Sequence, residues 1–242
     1  MNLHAQLWAV LGTALIAVPS AAAEVRQHTR VVLELFTSQG CSSCPAADAK
    51  LIELQKNPDV ITLAYHVDYW DYIGWTDTFG AKVNTDRQKA YAQSWGAAMI
   101  YTPELVVNGT KAVVGSRDKE IAGAVDGASL ALPVSLAVTD DMLEIGVGPQ
   151  AGGGKAMVWL VTFKDRESVA IERGENAGRT MDYSHIVTGR QMLGMWDPEA
   201  GTHLKLPLSE IMSGGANGAA ILVQADQSGL PGPILGAASV QL

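Results

Sequence analysis

Val31-Val32-Leu33-Glu34-Leu35-Phe36-Thr37-Ser38-Gln39-Gly40-Cys41-Ser42-Ser43-Cys44-Pro45 is the stretch on which the fold turns. Its first six residues are apolar or β-branched except for Glu34, the pattern of a buried strand. Thr37–Gly40 supplies a loop. Beyond Pro45, apolar residues at Ala47, Leu51, Ile52 and Leu54 follow a helical spacing that Asn57-Pro58 ends. The Cys-x-x-Cys pair therefore sits between a strand and a helix.

These two cysteines are the only ones in 242 residues. They cannot build a disulfide-rich scaffold, a four-thiolate zinc site or an iron–sulfur cluster. Covalent haem is excluded because Pro45 stands where Cys-x-x-Cys-His needs histidine. A cysteine at a helix start faces the positive end of the helix dipole and free backbone N–H groups. There a thiol pKa of about 8.5 falls to roughly 3.5–7.5. Cys41 is expected to be the exposed nucleophile. Cys44, one turn deeper, is expected to resolve a mixed disulfide formed on Cys41. The spacing leaves open a purely structural disulfide and a metal site in which the pair joins His66 to hold Cu(I).

Outward from this stretch, Val60–Val67 reads as a second strand and Thr78–Trp95 as a polar helix. Glu104–Val114 is two short apolar runs around Asn108-Gly109, a dipeptide suited to a type I′ turn. Asp118 is placed to cap a helix reaching about Ser129. The order is β-α-β-α-β-β-α, with a parallel first pair and a closing hairpin. From Leu132 the texture changes to short strand-like runs separated by Gly-rich or Asp-rich turns, which predicts an antiparallel β-sandwich. A helical turn fits near Ser209–Met212.

The N-terminus has its own signature. Met1–Ala23 contains no Lys, Arg, Asp or Glu, and an apolar run from Leu7 to Val18 precedes Ala21-Ala22-Ala23. This reads as a secretory signal peptide cut after Ala23, with an uncleaved anchor as the alternative. No later segment is long and apolar enough to span a bilayer. The expected organisation is residues 1–23 as signal peptide, 24–130 as an α/β domain and 131–242 as a β-sandwich, in a periplasmic or secreted protein. Such a compartment permits a disulfide to persist. The formal charge is −8, with 17 Lys and Arg against 25 Asp and Glu, which argues against a nucleic-acid partner.

The sequence also resembles a known family. Glu34–Pro45, His66–Asp71, Gly74-Trp75, Tyr101-Thr102-Pro103 with Val106–Gly109, and Arg173–Arg179 match an exported bacterial family catalogued as domain of unknown function 1223. The first half is similar to the thioredoxin fold in its minimal, glutaredoxin-like form. The resemblance implies that Pro103 is a cis proline packed against the cysteine pair. It leaves the Thr102 backbone open to an extended peptide or thiol substrate.

Glu34, the only charge in its strand, is the expected buried proton acceptor for Cys44, with an ion pair to Lys or Arg as the alternative. His66, Asp68, Trp70 and Trp75 follow the second strand and are expected to form a substrate-facing wall beside Cys41. An aromatic plug between the two halves is the other reading. Gly174–Arg179 lacks a dinucleotide-binding context and is expected to be a docking loop. The leading functional expectation is a thiol–disulfide oxidoreductase that needs no cofactor beyond its Cys41–Cys44 disulfide. Its partners would be protein or small thiol and disulfide substrates and an external redox partner. A copper-handling module and a non-catalytic interaction protein are the alternatives.

Overall fold

The computed structural model describes residues 23–242. The expected signal peptide lies outside the described residues but for Ala23. The elements in chain order are β1 (Glu24–Arg26), β2 (Val31–Thr37), α1 (Pro45–Leu54), β3 (Val60–His66), α2 (Lys82–Trp95), β4 (Glu104–Val107), β5 (Lys111–Val114) and α3 (Asp118–Asp126). They continue with β6 (Val134–Thr139), β7 (Met142–Val147), β8 (Ala156–Ala170), β9 (Thr180–Met195), β10 (Thr202–Pro207), α4 (Leu208–Ile211), β11 (Gly218–Gln227) and β12 (Leu230–Gln241).

Nine strands form one mixed sheet in the order β1-β12-β11-β8-β9-β3-β2-β4-β5. β2 pairs in parallel with β3 from Val31 opposite Val60 to Thr37 opposite His66, and antiparallel with β4. All seven residues of β2 are buried, as suits a strand covered on both faces. Leu33 and Leu35 pack with Ala47 and Leu51 of α1 and Ile121 of α3. Val32 and Phe36 point the other way, into a core shared with Tyr65 and Tyr91.

This sheet overturns the expected fold class, a thioredoxin-like α/β domain followed by a separate β-sandwich. β3 pairs in parallel with β9 at Ala64 opposite Ile186, so the strands before and after residue 130 belong to one sheet. The chain is mostly β, with four short helices of 10, 14, 9 and 4 residues among the described residues. A three-stranded sheet, β10-β7-β6, packs on β8, β11 and β12 through Leu136, Leu143, Ile145, Val158 and Ile221. The strand next to β3 that a free-standing α/β domain would leave as an edge is instead supplied from more than 100 residues downstream. An unpaired edge beside so apolar a strand would be an aggregation hazard.

β8 and β9 form a long hairpin whose register runs from Met157 opposite Met195 to Ala170 opposite Thr180. Its far half extends beyond the sheet, and its tip, Ile171–Arg179, reaches the cysteine pair. Among the described residues, no helix is long and apolar enough to cross a membrane.

Candidate functional site

Cys41 and Cys44 are joined by a disulfide, with Cα atoms 5.4 Å apart. Cys44 is the N-cap of α1 and Pro45 occupies the first helical turn, where its missing N–H costs nothing. The Cys44 carbonyl accepts the first helical hydrogen bonds, from the N–H groups of Ala47 (2.8 Å) and Asp48 (3.0 Å). Ser42 and Ser43 are exposed, whereas Cys41 is 1% exposed and Cys44 fully buried. The expectation that Cys41 is an exposed nucleophile is corrected by this burial.

The Thr102–Pro103 peptide bond is cis. The Ser43 hydroxyl lies 3.5 Å from the Thr102 carbonyl oxygen, and the Cys41 sulfur lies 3.4 Å from that same hydroxyl. The Trp70 indole N–H donates to the Thr102 hydroxyl at 2.7 Å. Gln88 on α2 fixes this turn from behind, donating to the Tyr101 carbonyl (2.7 Å) and to Glu104 (2.6 Å). A Cβ on Gly40 would come within 3.2 Å of Trp70 Cβ, so the cysteine loop approaches the tryptophan through a residue without a side chain. Three elements thus converge on the disulfide: the loop before α1, the turn before β4 and the loop after β3.

Behind them lies a buried polar cluster. Asp77 Oδ2 accepts from the Gln39 backbone N–H and contacts His66 Nδ1, both at 2.8 Å. Burial raises the Asp77 pKa, but the adjacent His66 ring and several hydrogen bonds outweigh it and hold this carboxyl below its usual range. The Trp75 indole N–H donates to Gln39 Oε1 at 2.8 Å. On α1, Asp48 accepts from the Thr37 hydroxyl at 2.8 Å. Its pKa is pushed up to about 7, chiefly by burial, with His66 and Thr37 pulling it partly back. Asp48 Oδ2 and His66 Nε2 are both buried without a hydrogen-bond partner.

The sequence-derived residues fall into two groups. Thr102 and Trp70 gather round the cysteine loop, with Pro103 beside Thr102, and Trp75 reaches its base through Gln39. His66 is fully buried, held by Asp77 and flanked edge-on by Phe79 and Tyr183, so no substrate surface includes it. Asp68 accepts from the Thr85 hydroxyl of α2 at 2.6 Å. Glu34 lies on the other face of β2 from α1. It forms a buried ion pair with Arg87 (2.6 Å) and accepts from the Tyr91 hydroxyl (2.5 Å). That is the ion-pair alternative for Glu34, and the geometry does not bring it to Cys44.

Asn176, at the tip of the β8–β9 hairpin, was not singled out by sequence chemistry. Its side-chain amide donates to the Gln39 carbonyl (2.9 Å) and the Cys41 carbonyl (3.0 Å) while being 1% exposed itself. The docking loop expected at Gly174–Arg179 therefore docks on the cysteine segment. A family model described as "Protein of unknown function (DUF1223)" matches residues 32–224, a span that includes the disulfide, the cis proline and this tip.

The chain belongs to the DUF1223 family. Among solved structures, the DUF1223 chain is similar to the crystal structure of protein AGR_C_4864 from Agrobacterium tumefaciens. The identity is 38%, the match covers 89% of this chain and 95% of that one, and the TM-score is 0.79. It also resembles HBP35 of Porphyromonas gingivalis at 16% identity, over 89% of this chain and 76% of that one, with a TM-score of 0.59, a likeness of fold alone. No curated protein matches the chain.

Sequence reasoning missed Asp48, Gln88 and Asn176 in this DUF1223 protein. Asp48 carried a faint signal as an acid in the helix that follows Pro45. Asn176 lies in a motif shared with the family, but nothing local ties it to a cysteine 135 residues earlier.

Proposed function

We propose that the protein is an exported thiol–disulfide oxidoreductase working through Cys41 and Cys44. The observation that carries this reading is the Cys41–Cys44 disulfide at the N-terminus of α1, where Ser43, between the two cysteines, lies within 3.5 Å of the Thr102 carbonyl. The arrangement favours a thiolate once the bond is reduced, because the helix start offers N–H groups and the positive end of its dipole. A disulfide of this kind persists in an oxidising compartment, which agrees with the expected signal peptide and a periplasmic or secreted location.

The chemistry balances as two exchanges. In the oxidising direction a substrate thiolate attacks Cys41, the Cys41–Cys44 bond breaks, and Cys44 leaves as a thiolate that takes up a proton. A second substrate thiolate then displaces Cys41, which leaves the substrate oxidised by two electrons and the pair reduced. An external oxidant of disulfide or quinone class takes up the two electrons and two protons and restores the disulfide. The reducing direction is the reverse sequence.

Asp48 is the proton carrier in this account, in place of Glu34. It sits one helical turn beyond Cys44 with its carboxyl poised near neutrality, as general acid–base work requires. Tyr72, Met99 and Tyr101 are exposed apolar side chains on the two loops that frame the cysteine segment. They offer contact area for a protein substrate.

Turnover assays test the reading. The wild-type protein is expected to catalyse insulin reduction or dithiol oxidation in a suitable thiol buffer, and Cys41→Ser to lose all of it. Equal rates for the two proteins, in both directions, would overturn the proposal.

A further inference from the structure

On the face of the sheet that carries Glu34, away from the disulfide, α2 and strands β8, β9 and β11 enclose a cleft of about 390 Å³. This is within the usual size range of small-molecule sites, roughly 300–1,000 Å³. No residue of the cysteine loop, the Trp70–Trp75 loop or the Thr102–Pro103 turn lines it.

Its electrostatics are unbalanced. Behind its wall lies the buried carboxylate of Glu34, both of whose oxygens are taken by Arg87 and Tyr91. A second guanidinium, Arg190 of β9, faces the same space. It lies flat over the Trp159 ring, 3.2 Å from the centroid. Its only polar contact among the described residues is a long one, from Nη2 to Gln224 Oε1 at 3.4 Å, and Nε is buried without any partner. Burial and the neighbouring Arg87 lower its pKa to about 10, so it still carries its charge at neutral pH.

The acids at the rim do not answer it. Asp86 is held by Lys82 at 2.6 Å and Asp226 accepts from the Gly229 N–H, and neither makes an ion pair with Arg190. Tyr65 also lines the cleft, and its hydroxyl, though near the Glu34 carboxylate, makes no hydrogen bond of good geometry. Two guanidinium charges and one carboxylate thus lie close together, and Arg190 has no ion-pair partner among the described residues. Such a group is stable when an anion completes it. Val187, Met157 and Ala90 supply an apolar part of the remaining wall.

We propose that this cleft binds a small organic carboxylate. The carboxylate would sit on the Nη edge of the Arg190 guanidinium, which is only partly buried, and the body of the ligand would lie against Val187 and Met157. A guanidinium already stacked on an indole is preorganised for a planar anion, which lowers the ordering cost of binding. The site is independent of the redox reading and stands or falls apart from it.

Titration with 4-fluorobenzoate, followed by fluorine NMR, tests the site with 4-fluorobenzamide as its uncharged isostere. Saturable binding of the benzoate, at least tenfold tighter than the benzamide, is expected. It should be unchanged in Cys41→Ser and lost in Arg190→Gln. In the wild-type protein the bound probe should also show magnetisation transfer to Val187 and Met157 methyl groups, a readout that needs no variant. Equal affinity for acid and amide, no saturable binding, or transfer to methyls elsewhere would each overturn the proposal.

Discussion

The side-chain amide of Asn176 holds the carbonyl of Cys41 at 3.0 Å across 135 residues of sequence. The same amide holds the Gln39 carbonyl, so one residue of the β8–β9 tip satisfies two buried acceptors on either side of Gly40. Asn176→Ala would leave the Gln39 carbonyl unpaired and the Cys41 carbonyl with only the Cys44 N–H, at 3.2 Å. It is expected to destabilise the oxidised protein by about 1–3 kcal/mol, the cost of orphaning a buried acceptor. Because Cys41 is buried beside this contact, reduction by dithiothreitol should also become faster, by roughly tenfold for each 1.4 kcal/mol of opening energy lost. Urea denaturation and a timed thiol assay measure the two effects. Unchanged reduction kinetics would show that the tip does not control access.

Asp48 makes a prediction with a definite sign. Its pKa is about 7 in the folded protein, against a carboxylate's usual value near 3.8. A group whose pKa is raised on folding adds stability below its unfolded value and loses it as pH rises through the folded one. The window is therefore pH 4 to 8, and the loss attributable to this group is on the order of 3–4 kcal/mol. Asp48→Asn keeps the bond from Thr37 and removes the titration. The variant should match the wild type near pH 4 and exceed it at pH 8, as read by denaturation at both values. If Asp48 also serves Cys44, the variant should slow resolution of a mixed disulfide by roughly tenfold to a hundredfold near neutral pH. A pH dependence identical to wild type would remove Asp48 from the account.

Glu34 is assigned to the scaffold. Glu34→Gln would leave the buried Arg87 guanidinium uncompensated, at a cost of about 3–5 kcal/mol. Arg87→Met should cost a similar amount, and the double variant much less than the two together. Turnover per folded molecule should stay within about twofold of wild type in all three, since general acid–base roles are worth 10²-fold or more. A larger loss of turnover would return Glu34 to the chemistry.

The local elements were legible where sequence and environment agree. β2 is apolar because both its faces are covered. Pro45 marks the start of α1. Asn108-Gly109 makes its hairpin turn with φ of 47° and 64°, the positive angles that such a dipeptide accommodates. The joining of the sheet was not legible. β8 continues from Met157 through Lys164-Asp165-Arg166-Glu167, charges that read as a break between two strands. They lie where the strand leaves the core, and the burial there alternates with the pleat. β9 carries Gly189 and Gly194 with Arg190 and Gln191 breaking the apolar pattern between them, so its second half has little strand signature. The single pairing of Ala64 with Ile186 that unites the sheet depends on chain segments over 120 residues apart, and no window of sequence encodes it. The cysteine site was legible as far as its two thiols, Thr102, Pro103 and Trp70. The buried acid and the amide that complete it come from packing.

The reduction potential of the Cys41–Cys44 pair tests the central claim most directly. Equilibration of the pure protein in graded thiol–disulfide buffers, with the two states counted by thiol alkylation, gives the value. A working pair should titrate between about −120 and −270 mV, where known dithiol enzymes cycle. A value below about −300 mV would mark a bond that stays closed in an oxidising compartment and would contradict the proposed activity.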